Sequence, residues 1–183
     1  MTELALLAKD VGVHERTLRR AVSEGALRAV RPTARTLALP LSERRYVRRK
    51  WPLLSSLREA LRTEQNVRFA LLFGSAATGS DTPASDVDVL VDLRDASLDR
   101  VVDLSSKLTT IIGRRVDVLR LQDVDAEPSF LAQVVADGRV LVDREGRWSR
   151  LQRRESSLGL RGRRQQARRA QAALAGIDLL LGA

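Results

Sequence analysis

The 183-residue chain contains no cysteine and a single histidine, His14. Without thiols it can form neither disulfides nor thiolate zinc sites, and it has no cysteine nucleophile. One imidazole cannot build a metal site, so a bound metal must be held by oxygen ligands, which favours Mg²⁺ or Mn²⁺. Aromatic residues make up only 3% of the chain. Leucine, valine and alanine must therefore supply most of the core, as in ordinary α/β or α+β proteins.

Long apolar runs are also missing. Residues 1–12 lack the basic start and the apolar stretch of a signal peptide, and no segment approaches the roughly 18 apolar residues of a membrane span. We therefore expect a cytoplasmic protein with no membrane partner.

The net charge of +9 is distributed unevenly along the chain. Residues 1–50 carry a net charge of +7, residues 51–143 carry −5, and residues 144–183 carry +7. An acidic centre between basic ends indicates carboxylate chemistry flanked by surfaces that attract phosphate. Because the chain is longer than the roughly 100–150 residues of a typical domain, we predict three parts with these boundaries.

The N-terminal part has the pattern of a winged helix-turn-helix. Residues 3–9 and 15–24 have helical spacing, and Ala26–Arg31 and Arg35–Leu39 are short strand-like runs joined by a Pro-Thr-Ala turn. In a winged helix-turn-helix the second helix enters the major groove of DNA. Folds of this kind also dock proteins, and the pattern does not decide between the two. For DNA, the predicted phosphate contacts are Arg16, Arg19, Arg20 and Arg31.

The central part alternates strand and helix patterns. A connecting helix over residues 42–61, restarted or kinked at Pro52, precedes the apolar run Val67–Phe73, which predicts a buried strand. Aspartate and valine alternate from Asp86, which predicts a half-buried strand. Further patterns predict a helix over Leu98–Ile112, a strand over Arg115–Leu119, a helix over Glu127–Asp137, a strand over Arg139–Val142 and a C-terminal helix within residues 144–183.

Two aspartates share one face of the second predicted strand. Asp86 and Asp88 are two residues apart, and side chains in a strand alternate between faces. Neighbouring carboxylates repel each other unless cations neutralise them, so a divalent metal is the economical explanation. The alternative is an ordinary amphipathic strand whose polar face is solvated.

A glycine-serine turn and a third aspartate extend this pattern. Gly74-Ser75 ends the buried strand and would open a helix, which leaves backbone N–H groups and a hydroxyl free to bind a triphosphate. Asp117 lies between two valines of the third strand. If that strand lies beside the one with Asp86 and Asp88, three carboxylates converge. Such a set suits two-metal phosphoryl transfer, with Asp117 as metal ligand and general base.

The stretch Leu72-Phe-Gly-Ser-Ala-Ala-Thr-Gly79, followed by Ser85-Asp-Val-Asp-Val-Leu-Val91, resembles the minimal nucleotidyltransferase family of the DNA polymerase β superfamily. The resemblance covers residues 53–143 and implies an α+β nucleotidyltransferase fold, a mixed sheet with flanking helices. Thr78 replaces the arginine, and Ala76 the bulky or basic residue, that many relatives have. The resemblance assigns catalysis and metal binding to Asp86 and Asp88, and the strand pattern adds Asp117 to this set. Nucleotide binding is predicted for Gly74, Ser75, Gly79 and Ser85.

The resemblance implies that a nucleoside monophosphate, expected to be AMP, is transferred from an NTP to a hydroxyl of a protein or RNA. Pyrophosphate is released, and two Mg²⁺ or Mn²⁺ ions are expected. Relatives modify antibiotics, proteins or RNA ends, and several belong to bacterial toxin–antitoxin pairs in which a tyrosine of a HEPN ribonuclease is adenylylated. We therefore predict a module member that has a HEPN-type partner and regulates its own expression through DNA binding.

Two other functions are compatible with the sequence. The chain could be a DNA-binding regulator whose nucleotidyltransferase domain is an inactive nucleotide sensor or scaffold. It could also be an antibiotic nucleotidyltransferase, which would leave the basic N-terminal part unexplained.

Overall fold

The computed structural model describes residues 2–33, 36–124 and 127–153, and only the backbone of residues 31–33 and 36. Within these residues no helix is long and apolar enough to cross a membrane. Residues 154–183, which contain most of the predicted C-terminal helix, and the side chain of Arg31 lie outside the description. The helices are α1 (Glu3–Asp10), α2 (Glu15–Ser23), α3 (Leu41–Thr63), α4 (Gly74–Thr78), α5 (Leu98–Ile112), α6 (Leu121–Val124) and α7 (Pro128–Asp137), and residues 147–153 are also helical. The strands are β1 (Val30–Thr33), β2 (Thr36–Ala38), β3 (Val67–Phe73), β4 (Val87–Leu93), β5 (Val116–Arg120) and β6 (Arg139–Asp143).

A mixed four-stranded sheet with the order β5-β4-β3-β6 forms the centre of the fold. β3 pairs antiparallel with β4 and with β6, whereas β4 pairs parallel with β5. The parallel pair requires a crossover, and α5 supplies it. The predicted α+β fold, a mixed sheet with flanking helices, is confirmed.

The two faces of the sheet have separate apolar cores. Ala70 and Leu72 of β3 and the valines of β4 pack with α3 and α5 on one face. Phe69, Leu71 and Phe73 pack with Leu90, α6 and α7 on the other. Because side chains alternate along a strand, Asp88 lies on the same face as Leu90.

The N-terminal elements share a core with α3 and the sheet. Leu7 of α1 and Leu18 of α2 belong to the same buried cluster as Val47 and Trp51 of α3. The Val140 N–H of β6 donates to the Gly25 carbonyl at 3.1 Å, which joins the segment after α2 to the sheet edge. α3 runs through residue 50, where the sequence predicts a domain boundary. The division into three domains stays a prediction.

One local prediction is wrong, and one of the two alternatives for Pro52 is excluded. The first hairpin strand begins at Val30 and includes Pro32, because the N–H groups of Ala26 and Leu27 both donate to the Ala21 carbonyl and complete the end of α2. Pro52 does not restart a helix but lies inside α3. Since Pro52 is exposed, the carbonyl that loses its N–H donor can be hydrated.

Candidate active site

The glycine-serine turn lies where β3 meets α4. Gly74 is the first residue of α4 and has a φ of +68°, a left-handed conformation that favours glycine. A Cβ at this position would lie 2.5 Å from Oδ2 of Asp88. Gly74 is exposed and Ser75 half-buried, so solvent reaches the turn. Backbone conformation and the proximity of Asp88 therefore both require glycine here.

Strand pairing brings the three aspartates to this turn. Asp86 directly precedes β4, and Asp88 lies within it. Asp117 of β5 is in register with Asp88, and on its other side Asp88 pairs with Phe73, the residue before Gly74. Residues in register on neighbouring strands point to the same face. Asp88, Asp117 and the turn consequently lie together at one corner of the sheet, with Asp86 beside them.

The corner carries more negative than positive charge. Burial, then the charges of Asp117 and Asp86, raise the pKa of Asp88. Arg115 Nε donates to Oδ1 of Asp117 at 2.9 Å, and this hydrogen bond, with the charges of Asp117 and Asp86, raises the pKa of Arg115. Among the described residues neither Asp86 nor Asp88 forms an ion pair. One guanidinium thus faces three carboxylates.

The donor atoms of this corner suit a hard divalent cation. All three side chains offer carboxylate oxygens, which Mg²⁺ and Mn²⁺ prefer, and the negative charge is only partly compensated. In residues 2–33, 36–124 and 127–153 no three acidic or histidine side chains are arranged around one point as metal ligands. The ion pair between Arg115 and Asp117 occupies one carboxylate, and the Arg115 side chain is 70% exposed.

We predict that Asp88→Asn stabilises the metal-free protein near pH 7. The raised pKa means that the ionised form of Asp88 is disfavoured by folding, so its cost is present above the ordinary aspartate pKa and disappears on acidification. The melting temperature in EDTA should rise at pH 7 and rise less at pH 4. An unchanged or lower melting temperature at pH 7 would contradict a cost of burying the ionised Asp88 carboxylate beside Asp117 and Asp86.

Gly74→Ala is expected to lower nucleotidyl transfer by about 100-fold, because a shift of about 1 Å at a reacting group has a cost of this order. The added Cβ would collide with the Asp88 carboxylate and would favour a different φ. Gly113→Ala is the matched control, since Gly113 has a φ of +69° but open space around its Cβ position. Both variants should lose stability through the unfavourable φ, and Gly74→Ala should lose more because of the contact with Asp88, whereas only Gly74→Ala should lose transfer measured per folded molecule.

The other predicted nucleotide-binding residues shape the loop between α4 and β4. Gly79 ends α4 with a φ of +82°, and its N–H donates to the Ser75 carbonyl at 2.8 Å. The hydroxyl of Ser85 accepts from the Thr82 N–H at 3.0 Å and contacts the Thr82 hydroxyl at 3.0 Å. These bonds close the loop that leads to Asp86, and nucleotide contact by Gly79 and Ser85 stays a prediction.

The predicted DNA-contacting arginines lie on α2. Arg16, Arg19 and Arg20 are exposed. Arg19 pairs with Glu15, and Arg20 pairs with Glu24 at 2.7 Å. The side chain of Arg31 lies outside the described residues, and DNA contact stays a prediction for the whole set.

A buried aspartate that the sequence did not reveal fixes the same loop. Asp81 forms ion pairs with Lys50 of α3 at 2.5 Å and with Arg114 at 2.9 Å, and its side chain is fully buried. Burial alone would raise the pKa of Asp81, but Lys50 and Arg114 outweigh it and lower the pKa. Arg114 also donates to the Ser85 carbonyl at 2.5 Å. In the sequence Asp81 stands in a polar loop, where nothing distinguishes it from a solvated residue.

A second missed group is the buried pair of Arg139 and Glu43. Arg139 is 2% and Glu43 4% exposed, and their side chains form two bonds of 2.5 and 3.0 Å. Arg139 stands at the start of an otherwise apolar strand. This sequence pattern could have indicated that the arginine is buried and not a surface residue.

Comparisons with known proteins identify relatives of this chain. A family model described as polymerase beta, nucleotidyltransferase, matches residues 55–147. A putative protein adenylyltransferase of Methanocaldococcus jannaschii is 35% identical over 79 residues, which are 41% of this chain and 78% of the relative.

Two solved structures are similar at lower identity. One is a toxin–antitoxin complex with AMP-PNP, with a TM-score of 0.47 and 22% identity over 70% of this chain and 98% of that one. The other is an MNT antitoxin with a tri-AMPylated HEPN toxin of Shewanella oneidensis, with a TM-score of 0.45 and 19% identity over 72% of this chain and 98% of that one.

The matched region contains the glycine-serine turn, Asp86, Asp88 and Asp117, and it spans the whole mixed sheet. It therefore includes every residue on which the resemblance to nucleotidyltransferases was based. The chain belongs to the polymerase β nucleotidyltransferase family and is a nucleotidyltransferase.

Proposed function

We propose that the chain transfers AMP from ATP to a hydroxyl group of a protein and releases pyrophosphate. The observation that carries the proposal is the register of Asp88 with Asp117 beside Gly74, which gathers the carboxylates at an open turn. The choice of AMP and of a protein acceptor is supported by the 35% identical relative, a putative protein adenylyltransferase.

In this proposal Asp86, Asp88 and Asp117 would hold two divalent ions, whose charge would neutralise the triphosphate and make the acceptor hydroxyl more acidic. The acceptor oxygen forms a bond to the α-phosphorus, and the bond between that phosphorus and the oxygen of the β-phosphate breaks. The acceptor proton moves to the Asp117 carboxylate. Gly74 lets the nucleotide phosphates approach the backbone, and the N–H groups of the turn and the Ser75 hydroxyl orient them.

The acceptor follows from the family resemblance. We propose a tyrosine on a HEPN-type ribonuclease encoded beside this chain, so that the two proteins form a toxin–antitoxin module. Purified product of the adjacent gene is the direct probe. Transfer of AMP to that protein, lost when its modified tyrosine is replaced by phenylalanine, would support the module, whereas transfer only to RNA would contradict it.

Labelled ATP tests the reaction itself. With Mg²⁺ and ATP labelled at the α-phosphate, label should become covalently attached to the acceptor protein, whereas γ-labelled ATP should release labelled pyrophosphate and leave the acceptor unlabelled. Label transferred from the γ-position would mean phosphorylation and would overturn the proposal. No covalent label and no Mg²⁺-dependent binding of any NTP would favour a DNA-binding regulator with an inactive domain.

We also propose that α2 contacts DNA phosphate through Arg16, Arg19 and Arg20. The support is the exposure of all three arginines on one helix of a helix, helix and hairpin unit. Binding to duplex DNA of the chain's own promoter should weaken as salt increases, because phosphate contacts release counterions. A DNA affinity that does not change with salt concentration would contradict phosphate contacts.

A further inference from the structure

We propose that Tyr46 and Arg139 are positioning residues that set the Gly74-Ser75 turn against Asp88, a role that rests on the proposed transfer reaction. Neither residue lies at the carboxylate corner. Tyr46 belongs to α3 and Arg139 begins β6. Both act on α4, the five-residue helix whose first residue is Gly74.

The backbone carbonyl groups of α4 need hydrogen-bond donors from other elements of the fold. The last carbonyls of a helix have no partner within it, and in so short a helix they are most of the backbone. The N–H groups of Gly79 and Ser80 both donate to the Ser75 carbonyl, at 2.8 and 3.0 Å. The Tyr46 hydroxyl donates to the Ala76 carbonyl at 3.2 Å, and Arg139 Nε donates to the Ala77 carbonyl at 2.6 Å. Two successive carbonyls are thus bonded by side chains from outside the loop.

These two donors are themselves fixed. The Arg139 guanidinium lies 3.4 Å from the centre of the Tyr46 ring, an arrangement in which cation and ring attract each other. Glu43 binds the same guanidinium through both carboxylate oxygens, and the Ala26 carbonyl accepts from Nη1 at 3.2 Å. Burial raises the pKa of Tyr46 to about 12, so its hydroxyl remains a donor at physiological pH.

The C-terminal end of α4 also rests on Tyr46. A Cβ at Gly79 would lie 3.1 Å from Cδ2 of the Tyr46 ring, so the chain passes close to the ring as it leaves the helix. At the opposite end, a Cβ at Gly74 would lie 2.5 Å from Oδ2 of Asp88. Movement of α4 along its axis would therefore change the distance from the turn to Asp88. Errors of about 1 Å at a reacting centre reduce rates by up to about 100-fold.

Tyr46→Phe tests this role, because it removes one hydrogen bond and keeps the ring that packs on Arg139. For AMP transfer from Mg·ATP to the acceptor, kcat per folded molecule should fall about tenfold, and KM for ATP should change less than about twofold. The expected loss is smaller than the roughly 100-fold loss for a displacement of about 1 Å, because only one of the two donors is removed. Amide exchange of residues 74–79 should become faster. Val47→Ala is the control, since Val47 is a fully buried neighbour on α3 and its truncation should lower stability without changing kcat.

The outcomes separate this inference from the proposed function. If the wild-type chain transfers no AMP, the proposed function fails and this role fails with it. If wild type transfers AMP and Tyr46→Phe keeps both its kcat and its exchange rates, the positioning role alone is wrong. Arg139→Lys is a second test of the positioning role. Lysine keeps the positive charge opposite Glu43, but it cannot donate to Glu43 and to the Ala77 carbonyl with the geometry of a guanidinium. Its kcat should also fall, and a wild-type kcat would contradict the role of Arg139.

Discussion

Replacing Asp86 and Asp88 together by alanine is expected to reduce AMP transfer at least about 1,000-fold. Metal ions contribute several kcal/mol of transition-state stabilisation, and each 1.4 kcal/mol corresponds to about tenfold in rate. The fold should persist, because Asp86 is exposed and the ionised form of Asp88 opposes folding. The measurement is incorporation of α-labelled ATP by protein whose folding is verified by circular dichroism.

Asp92→Asn is the matched control for that experiment. Asp92 lies on the same strand and the same face as Asp88, but it pairs with Arg68 at 2.7 Å and with Arg147 at 2.6 Å. Its replacement should leave transfer within about twofold of wild type, since an offset of four residues places it about 13 Å along the strand from Asp88. Retained transfer by the double alanine variant would rule out the metal assignment, whatever the control shows.

Arg139→Met is expected to lower the free energy of unfolding by about 3–5 kcal/mol, which is the usual cost of removing one member of a buried ion pair. The change leaves the buried Glu43 carboxylate without its main partner and the carbonyls of Ala26 and Ala77 without a donor. Urea denaturation followed by tryptophan fluorescence measures the change.

A double variant identifies the source of that loss. With Glu43→Leu added to Arg139→Met no unpaired buried charge remains, and replacement of a buried pair by apolar residues is often nearly neutral. The double variant should therefore be more stable than Arg139→Met alone. A loss below about 1 kcal/mol in the single variant would mean that this pair contributes little to the fold.

The placement of the glycine-serine turn and of the paired aspartates could be predicted from the sequence because their geometry is local. Asp86 and Asp88 share a face through the alternation of a strand, and Gly74 follows directly on a continuous apolar strand. Asp117 is a less local case. Its valine neighbours fixed the direction of its side chain, but its position beside Asp88 depended on a strand order that only the structure supplies.

The supporting side chains could not be predicted in the same way. Arg139 and Glu43 are 96 residues apart in sequence, and Asp81 meets Lys50 and Arg114 from different elements. No periodic pattern relates such partners, since each is a single charged residue whose burial depends on tertiary packing. The hairpin error has a similar cause. The residues after Gly25 have the composition of a strand, but the N–H groups of Ala26 and Leu27 bond to the end of α2 and not to a neighbouring strand.

Titration with Mn²⁺ tests most directly whether the three carboxylates bind divalent ions beside the turn. Free Mn²⁺ is measured by electron paramagnetic resonance, with and without a non-hydrolysable ATP analogue, for wild type and for the variant that combines Asp86→Asn with Asp88→Asn. We predict two bound ions per wild-type chain in the ternary complex and loss of this binding in the variant. If the wild-type protein with the analogue binds no more Mn²⁺ than the analogue alone, the proposed binding of divalent ions by the three carboxylates is wrong.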